Sequence, residues 1–159
     1  DQTFTNVWCQ KVGKEKICLY YFGAGHTDGD SFVHFEKANI VHCGDLVFNR
    51  RHPYVDRSAG ANINSWIQVL DKALQKFEKD TQYIFGHAGT GYKVTGTADD
   101  IKKFQEYLGN VLKFTEAEIK AGKTKEEFLK NKAIPGSDEW KGDGASRPLE
   151  AAWDELHAK

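Results

Sequence analysis

Methionine is absent from the 159 residues, and proline and cysteine occur only three times each. A chain without methionine does not open at its own initiator, so Asp1 reads as an internal or processed start. No apolar run approaches the roughly 18 residues that a membrane-spanning helix needs. The opening stretch DQTFTNVWCQ lacks the basic start and apolar middle of a signal peptide. An excess of one charge is missing too: 22 basic residues stand against 23 acidic ones, for a formal net charge of −1. Mixed along the chain, that balance argues against nucleic acid and against an anionic membrane surface as partners. Cys9, Cys18 and Cys43 lack the close pairing of zinc ribbons and redox motifs, and read as small buried thiols. There is no internal repeat and no low-complexity tract.

What is present suffices for one core, since 40% of the residues are hydrophobic and 13% aromatic at a length typical of a single domain. The stretches FTNVWCQKV and KICLYYF flank Gly13-Lys14-Glu15 and predict an opening β-hairpin. SFVHFE and NIVHCG, joined at Lys37-Ala38-Asn39, continue the sheet. Residues 46–60 show no period and read as a long loop bordering a site. Ile63, Trp66, Ile67, Leu70, Ala73, Leu74 and Phe77 then share one helical face, capped by Asn62 or Asn64.

YIFGHAG predicts a short strand ending at Gly86-His87. Thr97 and Asp100 open a long helix that Gly122 closes, and Thr124 and Glu127 open a short one over residues 125–131. A loop over residues 134–146 leads to a last helix from Arg147 to His157. Strands first and helices later predict an α+β layer, with helices on one face of a largely antiparallel sheet. The apolar runs at Trp8, Leu19 to Phe22 and Phe32 to Phe35 are too continuous for a second face left in water, so something else covers it.

Chemistry collects at strand ends. His26, Asp45 and His87 each follow a predicted strand, and each has a glycine beside it (Gly25, Gly44, Gly86) that permits tight backbone bends. Imidazole and carboxylate suit zinc and also iron. Placement alone leaves open whether these are ligands or satisfied polar residues, because three ligands is the minimum for a catalytic zinc. Gly23-Ala24-Gly25 does not complete a dinucleotide fingerprint, since Asp28 stands where the third glycine belongs. Gly122-Lys123-Thr124 does not complete a phosphate loop, since Ala117 stands where its first glycine belongs.

The segments GAGHTDGD, VHCGDLVF and FGHAG, in this order and at these separations, resemble the third, fourth and fifth metal-binding motifs of the metallo-β-lactamase superfamily. The intervening HPYVDRSAGANINSWIQVLDKAL is similar to the loop and tryptophan-bearing helix of members akin to glyoxalase II and to quinoprotein-associated metallohydrolases. The likeness runs from about Phe4 to Leu112. It implies that His26 is the third histidine of a first metal site, that Asp45 bridges both metals, and that His87 is the last ligand of the second. Asp45 stands where true β-lactamases carry a cysteine, with Cys43 two residues earlier, which points to the glyoxalase-like branch.

The family's first motifs, His-x-His-x-Asp-His, occur nowhere in these residues. The resemblance therefore implies the carboxyl-terminal half of an αββα sandwich, residues 1–159 forming one half-domain whose amino-terminal half is absent. A partner follows from that: a homodimer, or pairing with the missing half, would cover the second sheet face. The implied enzyme is a hydrolase of an ester, thioester or lactone-like bond in a small-molecule substrate, with two zinc ions, or iron or manganese, in the complete form. Asp45 would fix the metals while Thr27 and Asp30 orient ligands. His52 in the loop would touch substrate, and His34 and His42 would be hairpin side chains. A metal-free binding or assembly module and an iron-dependent dioxygenase-type relative are the alternative functions. Relatives of this branch often carry leaders, which points to the periplasm or secretion.

Overall fold

A computed structural model describes residues 3–142 and 144–157; Asp1, with the start assigned to it above, lies outside them. Six strands form one sheet in the order β1-β2-β3-β4-β5-β6: Val7–Val12, Glu15–Tyr20, Phe32–Phe35, Ile40–Asn49, Gln82–Ala88 and Thr95–Gly96. Helices α1 (Ile63–Lys76), α2 (Ala98–Lys120), α3 (Lys125–Phe128) and α4 (Ser146–His157) complete the α+β layer predicted from the sequence.

The opening hairpin turns on two residues, Gly13 and Lys14, because Val12 pairs with Glu15 and Gly13 takes a positive φ of 61°. That register sets Cys9 opposite Cys18, and the two form a disulfide. The expectation of two buried free thiols is thereby corrected: in-register cysteines on facing strands meet, and only Cys43 is free and buried. In the chain-entropy account, closing a loop this short stabilises the fold by about 2–3 kcal/mol.

Four of the strand pairings are antiparallel, whereas β4 and β5 run parallel and are joined by α1. The strand, helix, strand order is what a parallel crossover requires. A second correction concerns residues 46–60, expected as loop: β4 runs on to Asn49, since Leu46, Val47 and Phe48 are buried apolar residues with β5 beside them. In the remainder of that stretch Arg51 makes an isolated parallel bridge with Lys141, and a 3-10 turn spans Arg57–Ala59.

Helix ends follow the chemistry read from the sequence. Asn62 caps α1 by accepting from Ser65 N at 2.7 Å, and Thr97 with Asp100, and Thr124 with Glu127, form reciprocal capping boxes on α2 and α3. One cap comes from far away. The buried Glu155 of α4 accepts from the backbone N–H of Ile63 at 2.7 Å and of Asn64 at 3.0 Å, satisfying orphan donors at the start of α1.

The core lies between the helices and one sheet face, around Trp66, Phe104, Tyr107, Phe32 and Leu46, all under 2% exposed. The other face is apolar in the main, with the exposed polar residues Gln10, His42 and Gln82 among its rows. Trp8, Leu19 and Val33 share one cross-strand row with Ile84, and Ile17, Phe35 and Ile40 form the next, all of them only half-buried. Among the described residues no helix is long and apolar enough to cross a membrane.

Candidate metal centre

His26 sits in the loop between β2 and β3, and that loop is fastened to the start of α1. Asn62 N donates to Gly25 O at 3.2 Å, and Asp28 N donates to Ala59 O at 2.8 Å. The imidazole packs edge-on against Trp66, with ring centroids 5.9 Å apart, and Trp66 Nε1 in turn donates to Leu46 O at 3.0 Å. Trp66 thus locks the histidine loop to β4.

Asp45 and His87 lie within β4 and β5 rather than just after them, as the sequence had suggested. The pairing register slips between His42 and Gly44 and again between Gly44 and Phe48. At this irregular stretch Gly44 adopts φ +52°, a conformation that a side chain strains. The bulge turns Asp45 towards the strand end. Across from it, a Cβ on Gly86 would stand 2.5 Å from Gly44 O and collide with Asp45 Oδ1, so β5 approaches closely only because residue 86 has no side chain. His87 stacks on Phe48 at 4.8 Å between centroids.

The structure therefore brings the three residues together. His26 Nε2 is 3.8 Å from Asp45 Oδ2, and His87 Nε2 is 3.3 Å from Asp45 Oδ1. Each imidazole faces a different carboxylate oxygen, the arrangement of a carboxylate shared between two positions. The trio does not close on one point, since its ligand atoms are not all within 4.8 Å of one another. Two imidazoles and a carboxylate are the donor chemistry of zinc, iron or manganese sites, and the buried His26 Nδ1 has no hydrogen-bond partner. The residues fit such a metal.

Thr27 and Asp30 stand behind His26. Asp30 Oδ2 accepts from Thr27 Oγ1 at 2.8 Å and from Thr27 N at 2.5 Å, which aims Oδ1 at His26 Nδ1, 3.7 Å away. That last separation is a charge contact rather than a hydrogen bond. Burial pushes the His26 pKa down, but the Asp30 carboxylate, with Asp45 and Asp56, outweighs it and holds the group above its ordinary value. Asp30 is burdened by burial too, yet His26 and Thr27 hold it below the usual carboxylate range.

The signs give a prediction. The raised histidine contributes stability that is full below its unfolded pKa and fades as pH rises through the folded one. The depressed aspartate contributes stability present above its unfolded pKa and lost as pH falls through the folded one. Asp30→Asn is expected to lower the His26 titration midpoint in the metal-free chain, followed by NMR. Its loss of stability in urea unfolding should be greatest between about pH 4 and pH 6.5. An unmoved midpoint would show that Asp30 does not govern His26.

A cleft of about 200 Å³ opens beside Asp45 and His87, and Arg51, His52, Tyr54 and Arg147 line it. His52 is 8% exposed, and its Nδ1 pairs with Tyr107 Oη at 2.8 Å. Burial, helped by Lys141, pushes its pKa down, so the ring is neutral at pH 7. The guanidinium of Arg147 lies 5.2 Å over the Tyr54 ring. Sequence reasoning missed both arginines: one follows an unsuspected extension of β4 and the other opens α4, and nothing in spacing links positions so far apart.

No protein-family profile matches the sequence. The chain is 30% identical over 77 residues to metallo-β-lactamase IND-1 of Chryseobacterium indologenes, a match covering 48% of this chain and 32% of that protein. It is 28% identical over 92 residues to metallo-β-lactamase type 2 of Bacillus sp. (strain 170), covering 58% and 35%. The chain thus spans about a third of the length of the curated relatives it matches. Among solved structures it resembles a metallo-β-lactamase from Pontibacter korlensis with a TM-score of 0.57 at 21% identity, over 68% of this chain and 48% of that one. It also resembles a double mutant of the sec-alkyl sulfatase PisA1, with a TM-score of 0.70 at 14% identity, over 97% of this chain and 26% of that one.

Proposed function

From the premise that the chain belongs to the metallo-β-lactamase-fold superfamily, we propose that it supplies the later ligands of a dinuclear zinc hydrolase acting on an ester, thioester or lactone-like bond. The observation that carries this reading is the pair of imidazoles addressed to separate oxygens of Asp45. His26 would serve one metal position, His87 the other, and Asp45 both. Zinc, when bound, supplies Lewis acidity and makes water a nucleophile near neutral pH. The chain's own part is positional. Asp30 and Thr27 fix the His26 ring, and the Gly44 bulge fixes Asp45.

The glyoxalase-like branch is favoured by Asp45 standing where β-lactamases place cysteine, while Cys43 is fully buried with its thiol pKa pushed far up, unsuited to ligation. Iron or manganese would use the same donors. The half-buried apolar sheet face supports a complementary half, or a second copy, as the covering partner. Arg51 and Arg147 across the cleft favour a substrate bearing an anionic group near the scissile bond.

Equilibrium dialysis of the chain against zinc tests the ligand set. Uptake should fall when His26, Asp45 or His87 is replaced by alanine, and uptake unchanged in the triple variant would end the reading. With the complementary half supplied, Arg147→Ala is expected to raise KM for an anionic ester about 10–100-fold while leaving a neutral analogue unaffected. Equal effects on both substrates would remove the arginine from substrate recognition.

A further inference from the structure

We infer that the β1–β2 hairpin carries a second metal site, closed by the Cys9–Cys18 disulfide and opened by its reduction, with Cys9, Cys18, Glu36 and His34 as ligands for a thiophilic divalent cation such as zinc. The sheet register places these residues together. Cys9 faces Cys18 on β2, and Cys18 faces His34 on β3, so all three lie in one row on the helix-facing side. Glu36 follows at the next position on that side, and its Oε1 is 3.3 Å from Cys18 Sγ. The ligating atoms of Cys9, Cys18 and Glu36 lie within 4.8 Å of one another, and no other trio among the described residues meets that spacing, so the His34 ring, which packs against Phe77 and Tyr20, has to turn to join them.

A structural disulfide alone leaves one feature unexplained. Glu36 Oε1, beside Cys18, is already held by Lys16 Nζ. Both ring nitrogens of His34, however, are buried without a hydrogen-bond partner, although buried polar atoms are ordinarily satisfied. A cation accounts for them. Directly opposite residues hold their Cβ atoms about 4.5–5.5 Å apart, a span that two ligands of one tetrahedral zinc, at about 2.0–2.3 Å each, can close. Burial pushes the His34 pKa down and keeps the ring neutral, the ligating form. Lys16 Nζ, 2.9 Å from Glu36 Oε1, offsets the negative charge that two thiolates and a carboxylate leave around a divalent ion.

The chemistry balances with a dithiol as reductant. Its two thiols give two electrons and two protons to the Cys9–Cys18 bond, which breaks into two thiols, while the dithiol closes to its own disulfide. The cation then displaces the two cysteine protons to solvent.

Cobalt(II) titration of the Cys43→Ser chain, with and without prior reduction by a water-soluble phosphine, tests the site. Sulfur-to-cobalt charge-transfer absorption reports only thiolate ligation and is silent for cobalt held by His26, Asp45 and His87. The band should grow to one equivalent in the reduced chain, be absent from the oxidised chain, and vanish in Cys9→Ser. Glu36→Gln and His34→Ala should each weaken cobalt binding by more than the roughly 10–100-fold that losing an outer-shell partner costs. No band on reduction, a band indifferent to both of those variants, or loss of the folded circular-dichroism signal on reduction would each overturn the proposal.

Discussion

Replacing Trp66 with alanine is expected to destabilise the chain by about 3–5 kcal/mol, the cost of emptying a large buried aromatic site. Trp66 is 0% exposed, stacks edge-on with Phe48, Phe104 and His26, and donates to Leu46 O. Removing it leaves that β4 carbonyl without its donor as well as a cavity. In thermal unfolding the midpoint should drop by about 6–20 °C, and in urea the transition should move without a change in slope. Because the indole also walls the His26 loop, zinc affinity should fall in parallel. Phenylalanine at the same position should recover most of the stability, which separates packing from the indole N–H. A midpoint within a degree of wild type would refute the idea that α1 holds the histidine loop through this ring.

Gly86→Ala is expected to act on metal binding more than on the fold. The added Cβ would stand 2.7 Å from Gly44 C and 2.5 Å from Gly44 O, besides striking Asp45 Oδ1. Backbone yields less easily than a side chain, so the main relief is rotation of Asp45 away from both histidines. Zinc affinity should fall by at least the roughly 10–100-fold seen when ligand orientation is lost, whereas far-UV circular dichroism should be unchanged. Dialysis against zinc beside an unfolding curve distinguishes this from general destabilisation. An alanine variant that binds zinc like the parent would mean that Asp45 is not aimed by the close approach of β4 and β5.

Much of this architecture was legible because the local signals agree with the fold. Thr97 and Asp100, and Thr124 and Glu127, announced their helices by spacing alone, and the apolar stripe through Trp66 and Leu70 found its sheet. The convergence of His26, Asp45 and His87 was legible only as a set of motif residues, since no periodicity brings three such distant positions to one strand end. The hairpin disulfide could have been found. A two-residue turn at Gly13-Lys14 forces Cys9 opposite Cys18, whereas the three-residue turn Gly13-Lys14-Glu15 expected from the sequence sets Cys9 against Leu19. The extension of β4 was hidden by its bulge, which breaks the alternation that marks a strand.

The carboxylate of Glu155 reaches donors 92 residues earlier in the chain. Until α4 has been made, the first turn of the helix bearing Trp66 has amide protons with no side chain from α4 to receive them. The histidine loop is fastened to the start of that same helix, so a nascent chain cannot complete its ligand loop before residues 146–157 emerge. Deleting α4 would reproduce that unfinished state in the folded molecule.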